Sequence, residues 1–198
     1  MGILHLIMCC PDTSVLNVGK NDVEILEKCA ENNKKDFLLT PENCHEIEDL
    51  YDYLATIKTT CLLLEWIDET REDIICDQFG IGPGDIFRHV EAIQWLLYST
   101  TQIASLFMHR KLTFDLENLR TRVHYGIKEE LLKIITLKGV GRIRARNLYD
   151  KGYKTLDHFK SSSVDQLAQV PTVGKTLAQD ILKQIANPPN APIYFSKV

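Results

Sequence analysis

The chain is poor in the features that would mark a metalloprotein, a secreted scaffold or a membrane protein. Its six cysteines (Cys9, Cys10, Cys29, Cys44, Cys61 and Cys76) include no Cys-x-x-Cys pair, and its six histidines include no His-x-x-x-His pair. Neither a zinc site nor a disulfide framework is indicated, and no structural metal is expected. Apolar runs such as Cys61 to Leu64 are far too short to span a bilayer, so no membrane partner is expected. The apolar opening, Gly2 to Met8, has no basic lead-in and no small-residue cleavage site, so it does not read as a signal peptide. These features make an intracellular, cytoplasmic protein the expectation. No stretch alternates apolar and polar residues in the β-branched pattern of a strand, so the expected fold class is all-α.

What is present is ordinary globular composition, 44% hydrophobic and 25% charged, in 198 residues. That length allows one or two domains with a substantial core. The charge is unevenly divided. Residues 1–125 carry 11 Lys and Arg against 21 Asp and Glu, a balance of −10, whereas residues 126–198 carry 12 against 6, a balance of +6. Such asymmetry points to a polyanion as partner of the basic part.

In the acidic part, helical spacing marks a helix from Asn21 or Asp22 to about Asn32, and a long one from Ile47 to Glu69 that ends near a core Trp66. Thr70 and Asp73 have the spacing of a capping box before a short helix containing Ile74, Ile75 and Phe79. A glycine-rich turn, Gly80-Ile81-Gly82-Pro83-Gly84-Asp85, then opens a long helix-period stretch from Ile86 to Met108. Pro83 suits the first helical turn, and Asp85 suits the positive end of the helix dipole. Ile86, Val90, Ile93, Leu97 and Ala104 form one apolar stripe, which must be core, and Arg88, Trp95, Ser99 and Gln102 lie opposite. A tryptophan on the polar face, two turns from an arginine, has two readings. Either it packs on a neighbouring helix, or indole and guanidinium hold unstacked bases. One arginine, an acid and a tryptophan are a poor set for reading base edges in a major groove. Two further helices, Asp115 to Tyr125 and Lys128 to Ile135, are expected on either side of Gly126.

The basic part contains a pattern twice, 33 residues apart. Leu137-Lys138-Gly139-Val140-Gly141-Arg142-Ile143-Arg144-Ala145 corresponds to Val170-Pro171-Thr172-Val173-Gly174-Lys175-Thr176-Leu177-Ala178. Each copy joins a tight hairpin to a helix N-terminus, whose unpaired N–H groups suit a phosphate, and a small Ala permits close helix crossing. This is the helix-hairpin-helix pattern. Gly139, Val140, Gly141, Arg142, Arg144 and Arg146 make the first copy the better candidate phosphate binder, with Lys138, Lys151 and Lys154 nearby. Val173, Gly174 and Lys175 form the second hairpin, whose Thr172 in place of Gly139 suits a structural role. The three arginines cannot all face one way on a helix, so at least one is expected to serve an inter-domain interface. Gly174-Lys175-Thr176 is not a phosphate-binding loop, because Gln169 stands where the loop glycine is required. Ile143 and Thr176 stand where a base-excision glycosylase has its catalytic Lys, so no catalytic residue is assigned.

The expected organisation is a connector (residues 1–20), a helical bundle (21–126), a helix-hairpin-helix domain (127–186) and a tail (187–198). The tail's prolines cannot continue a helix, and Ile193-Tyr194-Phe195 is an apolar plug that either lies free, docks on its own domain or hooks a protein partner. On residues alone the open readings are a helix that stacks single-strand bases beside a phosphate-binding hairpin, a stand-alone scaffold for DNA junctions or ends, and a protein-docking module.

Taken together, Gly2-Ile-Leu-His-Leu-Ile with Pro11-Asp12, Phe79-Gly-Ile-Gly-Pro-Gly-Asp-Ile, Glu91 to Leu97, Tyr125-Gly-Ile-Lys-Glu-Glu-Leu and Gly139-Val-Gly-Arg-Ile-Arg-Ala-Arg resemble one family. It is the C-terminal accessory region of archaeal Ski-two-like superfamily 2 DNA helicases, relatives of the polymerase-theta helicase, and the likeness runs over nearly all of residues 2–186. The resemblance implies a "ratchet" helix on which Arg88 and Trp95 stack on the bases of a single strand. It also implies an arginine-rich hairpin at Gly141 to Arg146 that grips the strand. The implied partners are single-stranded or forked DNA and the motor domains of the same parent polypeptide, a 3′-to-5′ helicase of stalled-fork repair. ATP and Mg²⁺ would belong to the parent's motor, and no cofactor to this fragment.

Overall fold

A computed structural model describes residues 1–40 and 50–187. All regular structure among the described residues is helical. Two compact units divide at Gly126. The first contains α1 (Gly2–Met8), α2 (Val23–Asn32), α3 (Leu50–Ile67), α4 (Glu72–Phe79), α5 (Pro83–Leu106) and α6 (Arg110–Tyr125). The second contains a 3₁₀ turn (Glu129–Leu131), α7 (Arg142–Asp150), α8 (Leu156–Lys160), α9 (Val164–Leu167) and α10 (Lys175–Ala186). The apolar tail plug lies outside the described residues.

The first unit is built on α3 and α5. Leu62, Leu63, Trp66 and Ile67 of α3 meet Ile86, Val90, Ile93 and Leu97 of α5 in one core, which α6 completes with Leu116 and Val123. Residues 1–20, expected as a connector, contribute to this core, because Leu4, Ile7 and Met8 of α1 are buried in it. The physical reason is the spacing of those residues over two turns, which lets a seven-residue helix bury one full face. On the other side of α3, α2 and Phe37 pack a smaller cluster around Tyr53, Leu54 and Ile57. Asp22 precedes α2, accepts from the Gly19 N–H and pairs with the Lys58 ammonium at 2.7 Å. The lysine and then the amide hold the Asp22 carboxyl below its ordinary pKa.

Three local expectations are revised. The Thr70–Asp73 capping box does not form: Thr70 Oγ1 donates to Glu65, and the residue preceding α4 is Arg71, which pairs with Asp73. Residues 128–135 form no α-helix, only the 3₁₀ turn at Glu129–Leu131. They run as successive i→i+3 turns, Leu131 N–H to Lys128 O and Leu132 N–H to Glu129 O among them, burying Leu131, Ile134 and Ile135. The long fifth helix stops at Leu106, and Met108 takes the left-handed backbone conformation (φ 58°) where the chain turns into α6.

In the second unit the sequence repeat is a structural repeat. Val140 N–H bonds Leu137 O at 3.0 Å and Ala145 N–H bonds Gly141 O at 2.9 Å. In the other copy Val173 N–H bonds Val170 O at 3.0 Å and Ala178 N–H bonds Gly174 O at 2.9 Å. The pairs Leu137 and Val170, Val140 and Val173, Ala145 and Ala178, and Leu148 and Ile181 are all buried. Each pair is 33 residues apart, so the same side chains do the same packing in both copies.

Candidate nucleic-acid interface

On α5 the sequence stripe is the buried stripe: Ile86, Val90, Ile93, Leu97 and Ala104 all face the core. Pro83 opens the helix, and Asp85 Oδ2 accepts from the Gly82 N–H at 3.0 Å. Trp95 stands on the outer face, 60% exposed. It is therefore not the core-packing residue that the plainer reading of the sequence would make it. Trp66 is that residue, buried with its Nε1–H donated to Val123 O at 2.8 Å. Arg88 lies two turns before Trp95, a separation of ~10 Å along the axis. Its guanidinium extends into solvent with a 3.2 Å contact to Asp85, one turn back. An exposed pair of this kind adds little stability, so exchanging the carboxylate for another anion is cheap.

The helix is braced beside these side chains. The Gln94 amide donates to Arg120 O on α6, and the Arg120 guanidinium sits 4.8 Å from the centre of the Tyr98 ring. Beyond Trp95 three successive hydroxyls fold back on the helix: Ser99 to Trp95 O, Thr100 to Leu96 O and Thr101 to Leu97 O. Gln102, expected on the outer face, is exposed there.

In the second unit the first hairpin places Gly139 at φ 86° and Gly141 directly before α7. A side chain on Gly139 would fall 2.9 Å from Leu177 of α10, so glycine serves both the turn and the packing. The second hairpin keeps the same shape although Thr172 replaces the glycine. Thr172 takes φ 67°, held by Asn147 donating to its hydroxyl and to Pro171 O. Gly174 and Lys175 then open α10 as Gly141 and Arg142 open α7, and Val173 is buried as Val140 is. Lys175 pairs with Asp165 at 3.2 Å on the surface.

The three arginines have different employment, as their 200° steps around a helix require. Arg144 spans both hairpins, donating through Nη1 to Gly139 O at 2.8 Å and through Nε to Thr172 O at 3.1 Å. Arg146 is enclosed by Glu130 (2.9 Å) and Asp150 (3.4 Å) and lies over the Tyr149 ring. Both serve the fold of their own unit, a role the sequence pattern does not reveal, because one acceptor of each, Thr172 O for Arg144 and Glu130 for Arg146, is 28 and 16 residues away respectively. Arg142 is half-buried at the first position of α7. Lys138 has an exposed side chain, while its backbone N–H and C=O are both bonded to Gln184 of α10. No group of His, Cys, Asp and Glu side chains able to hold a metal ion occurs among the described residues. Nor is any described helix long and apolar enough to cross a membrane.

The architecture is that of an all-α bundle followed along the chain by a tandem helix-hairpin-helix unit. The model for the family described as "Archaeal helicase, domain 4" matches residues 1–126, and that for "SAM-like Helix-hairpin-helix tandem" matches residues 129–187. The chain belongs to the archaeal helicase domain 4 family, with the hairpin tandem attached. Among similar proteins are those named ATP-dependent DNA helicase Hel308 of Methanocella arvoryzae (37% identical, 93% of this chain, 25% of the relative) and of Pyrococcus horikoshii (37%, 93% and 26%). The protein of the same name from Pyrobaculum calidifontis is 34% identical over 91% of this chain and 24% of its own length. The chain thus spans about a quarter of the length of the curated relatives it matches.

Proposed function

We propose that the chain is the single-strand-contacting accessory region of an ATP-dependent 3′-to-5′ DNA helicase that works at stalled replication forks. The observation that carries this reading is Trp95. Its indole is exposed on a helix whose opposite face is core, two turns from an exposed guanidinium, in a chain of this family. In this reading the bases of a single strand stack on Trp95 and Arg88, while the hairpin unit holds phosphates through the N-terminus of α7 and neighbouring Lys138. ATP and Mg²⁺ are bound by motor domains of the parent, so the part played by these residues is to hold and release the strand between motor steps. Stacking at ~1–3 kcal/mol per base is strong enough to resist slippage and weak enough to let the strand advance.

The test is equilibrium binding of a labelled oligothymidylate to this chain over a range of salt. Trp95→Ala is expected to weaken binding about 5- to 150-fold, the equivalent of one stacked base, with the salt slope unchanged. Lys138→Ala is expected to lower the slope by about 0.7, the loss of one single-strand phosphate contact. Binding that is indifferent to Trp95→Ala refutes the reading.

A further inference from the structure

The outer line of α5 does not end at Trp95. Leu106 is 18 residues beyond Arg88 and 11 beyond Trp95, close to whole numbers of helical turns, and is 83% exposed. After it the chain turns through Phe107 and Met108, both exposed, into α6. At this corner Ser105, Met108, Arg110, Thr113, Phe114 and Glu117 line a hollow of about 320 Å³. Arg110 and Phe114 are one turn apart on α6, and the Phe114 ring is 62% exposed. Arg110 makes no side-chain hydrogen bond or ion pair with any described residue.

The charge around this line is equally unusual. The first unit is strongly acidic, yet residues 92–114 contain no Asp or Glu and end in His109-Arg110-Lys111 before Phe114. A surface with exposed rings and cations, and with Glu117 the one carboxylate lining its hollow, is what a flexible polyanion with flat, apolar bases requires. An apolar protein partner requires the rings but has no use for the cleared charge.

We propose that the corner between α5 and α6 is a second contact for the same single strand, with a base on Phe114 and phosphates on Arg110 and Lys111. The proposal rests on the single-strand reading of Arg88 and Trp95. The rise of α5 sets Leu106 ~17 Å beyond Trp95, a length of about five nucleotides at the 3.4 Å stacked spacing. A strand held at Trp95 therefore reaches the corner only when it is long enough. Glu117, the one carboxylate at the hollow, opposes phosphate there.

Affinities of oligothymidylates of about four and about twelve nucleotides test this, the shorter falling below that span. Phe114→Ala and Arg110→Ala should each weaken the longer one about tenfold, a typical single stacking or charge contact, and leave the shorter one unchanged. Glu117→Gln should strengthen the longer one. Trp95→Ala should weaken both. All the altered side chains are outside the core, and circular dichroism verifies that each variant is folded. If Phe114→Ala and Arg110→Ala leave the longer oligomer unaffected while Trp95→Ala weakens it, the inference is overturned and the corner is an apolar protein-docking face. If Trp95→Ala also has no effect, the reading it rests on has failed as well.

Discussion

Replacing Gly126 by alanine tests how the first unit is closed. Gly126 ends α6 with φ 63°, and a Cβ there would lie 2.5, 2.7 and 2.9 Å from Cε2, Cζ2 and Cδ2 of Trp66. The indole has little room to retreat. It is buried, its Nε1–H is committed to Val123 O, and the Phe87 ring meets it edge-on at 5.9 Å. Three costs follow: roughly 1–2 kcal/mol for a left-handed alanine, about 1–3 kcal/mol for overpacking, and a further ~1–3 kcal/mol if the indole shifts and leaves the carbonyl unpaired. Gly126→Ala should therefore destabilise the first unit by about 2–5 kcal/mol if the hydrogen bond survives and by about 3–8 kcal/mol if it is lost. Urea unfolding followed by tryptophan fluorescence measures it. Gly80→Ala is the internal control in the same unit: its φ is 66°, yet nothing lies within 4 Å of the added carbon, so only the conformational cost of roughly 1–2 kcal/mol applies. A Gly126→Ala loss no larger than that of Gly80→Ala would refute the steric account.

Further outcomes are expected elsewhere. His5 is fully buried, and because Thr56 Oγ1 donates to Tyr53 O, His5 Nε2–H must be the donor to Thr56, leaving Nδ1 without a partner. Burial lowers its pKa from 6.5 to about 4, so the folded state holds it neutral. The unfolded chain then binds the extra proton between these values, and stability falls as pH drops from about 6.5 to 4, by roughly 3 kcal/mol in all. Urea midpoints across that range should show the loss, and His5→Gln, which keeps a donor near Thr56, should remove most of this slope. Thr172→Gly should stabilise the second unit by about 0.5–1 kcal/mol, since release from a left-handed β-branched residue outweighs one exposed hydrogen bond; thermal melts measure it. Arg144→Lys should lower the melting temperature of the second unit nearly as much as Arg144→Ala, because an ammonium cannot reproduce a planar fork held by two separate carbonyls.

Much of this was legible in the residues, for identifiable reasons. The stripe of α5 was readable because a helix that buries one face must repeat its apolar residues at that period, and Trp95 was conspicuous by breaking the repeat. The paired hairpins were readable because Gly141 and Gly174, Ala145 and Ala178 recur at one spacing. The role of Thr172 was harder to see. A residue that usually avoids left-handed backbone is kept there by Asn147, whose reach depends on tertiary placement. Likewise Arg144 and Arg146 resemble surface cations until Thr172 O, Gly139 O and Glu130 are brought beside them. The first seven-residue helix was indistinct because Gly2 to Met8 is too short to display a period, and its burial is decided by α3. The exposure of Leu106, Phe107 and Phe114 also had no local signature, since the same letters at a helix end are equally at home in a core.

The three hydroxyls after Trp95 have a mechanical consequence. Ser99, Thr100 and Thr101 share the carbonyls of Trp95, Leu96 and Leu97 with the main chain, and such sharing loosens a helix and favours bending. The compliant turn of this rod therefore lies just past the indole. Under the proposed function, tension along a bound strand would be absorbed there as a small flexure, while the buried stripe on the far side keeps its register.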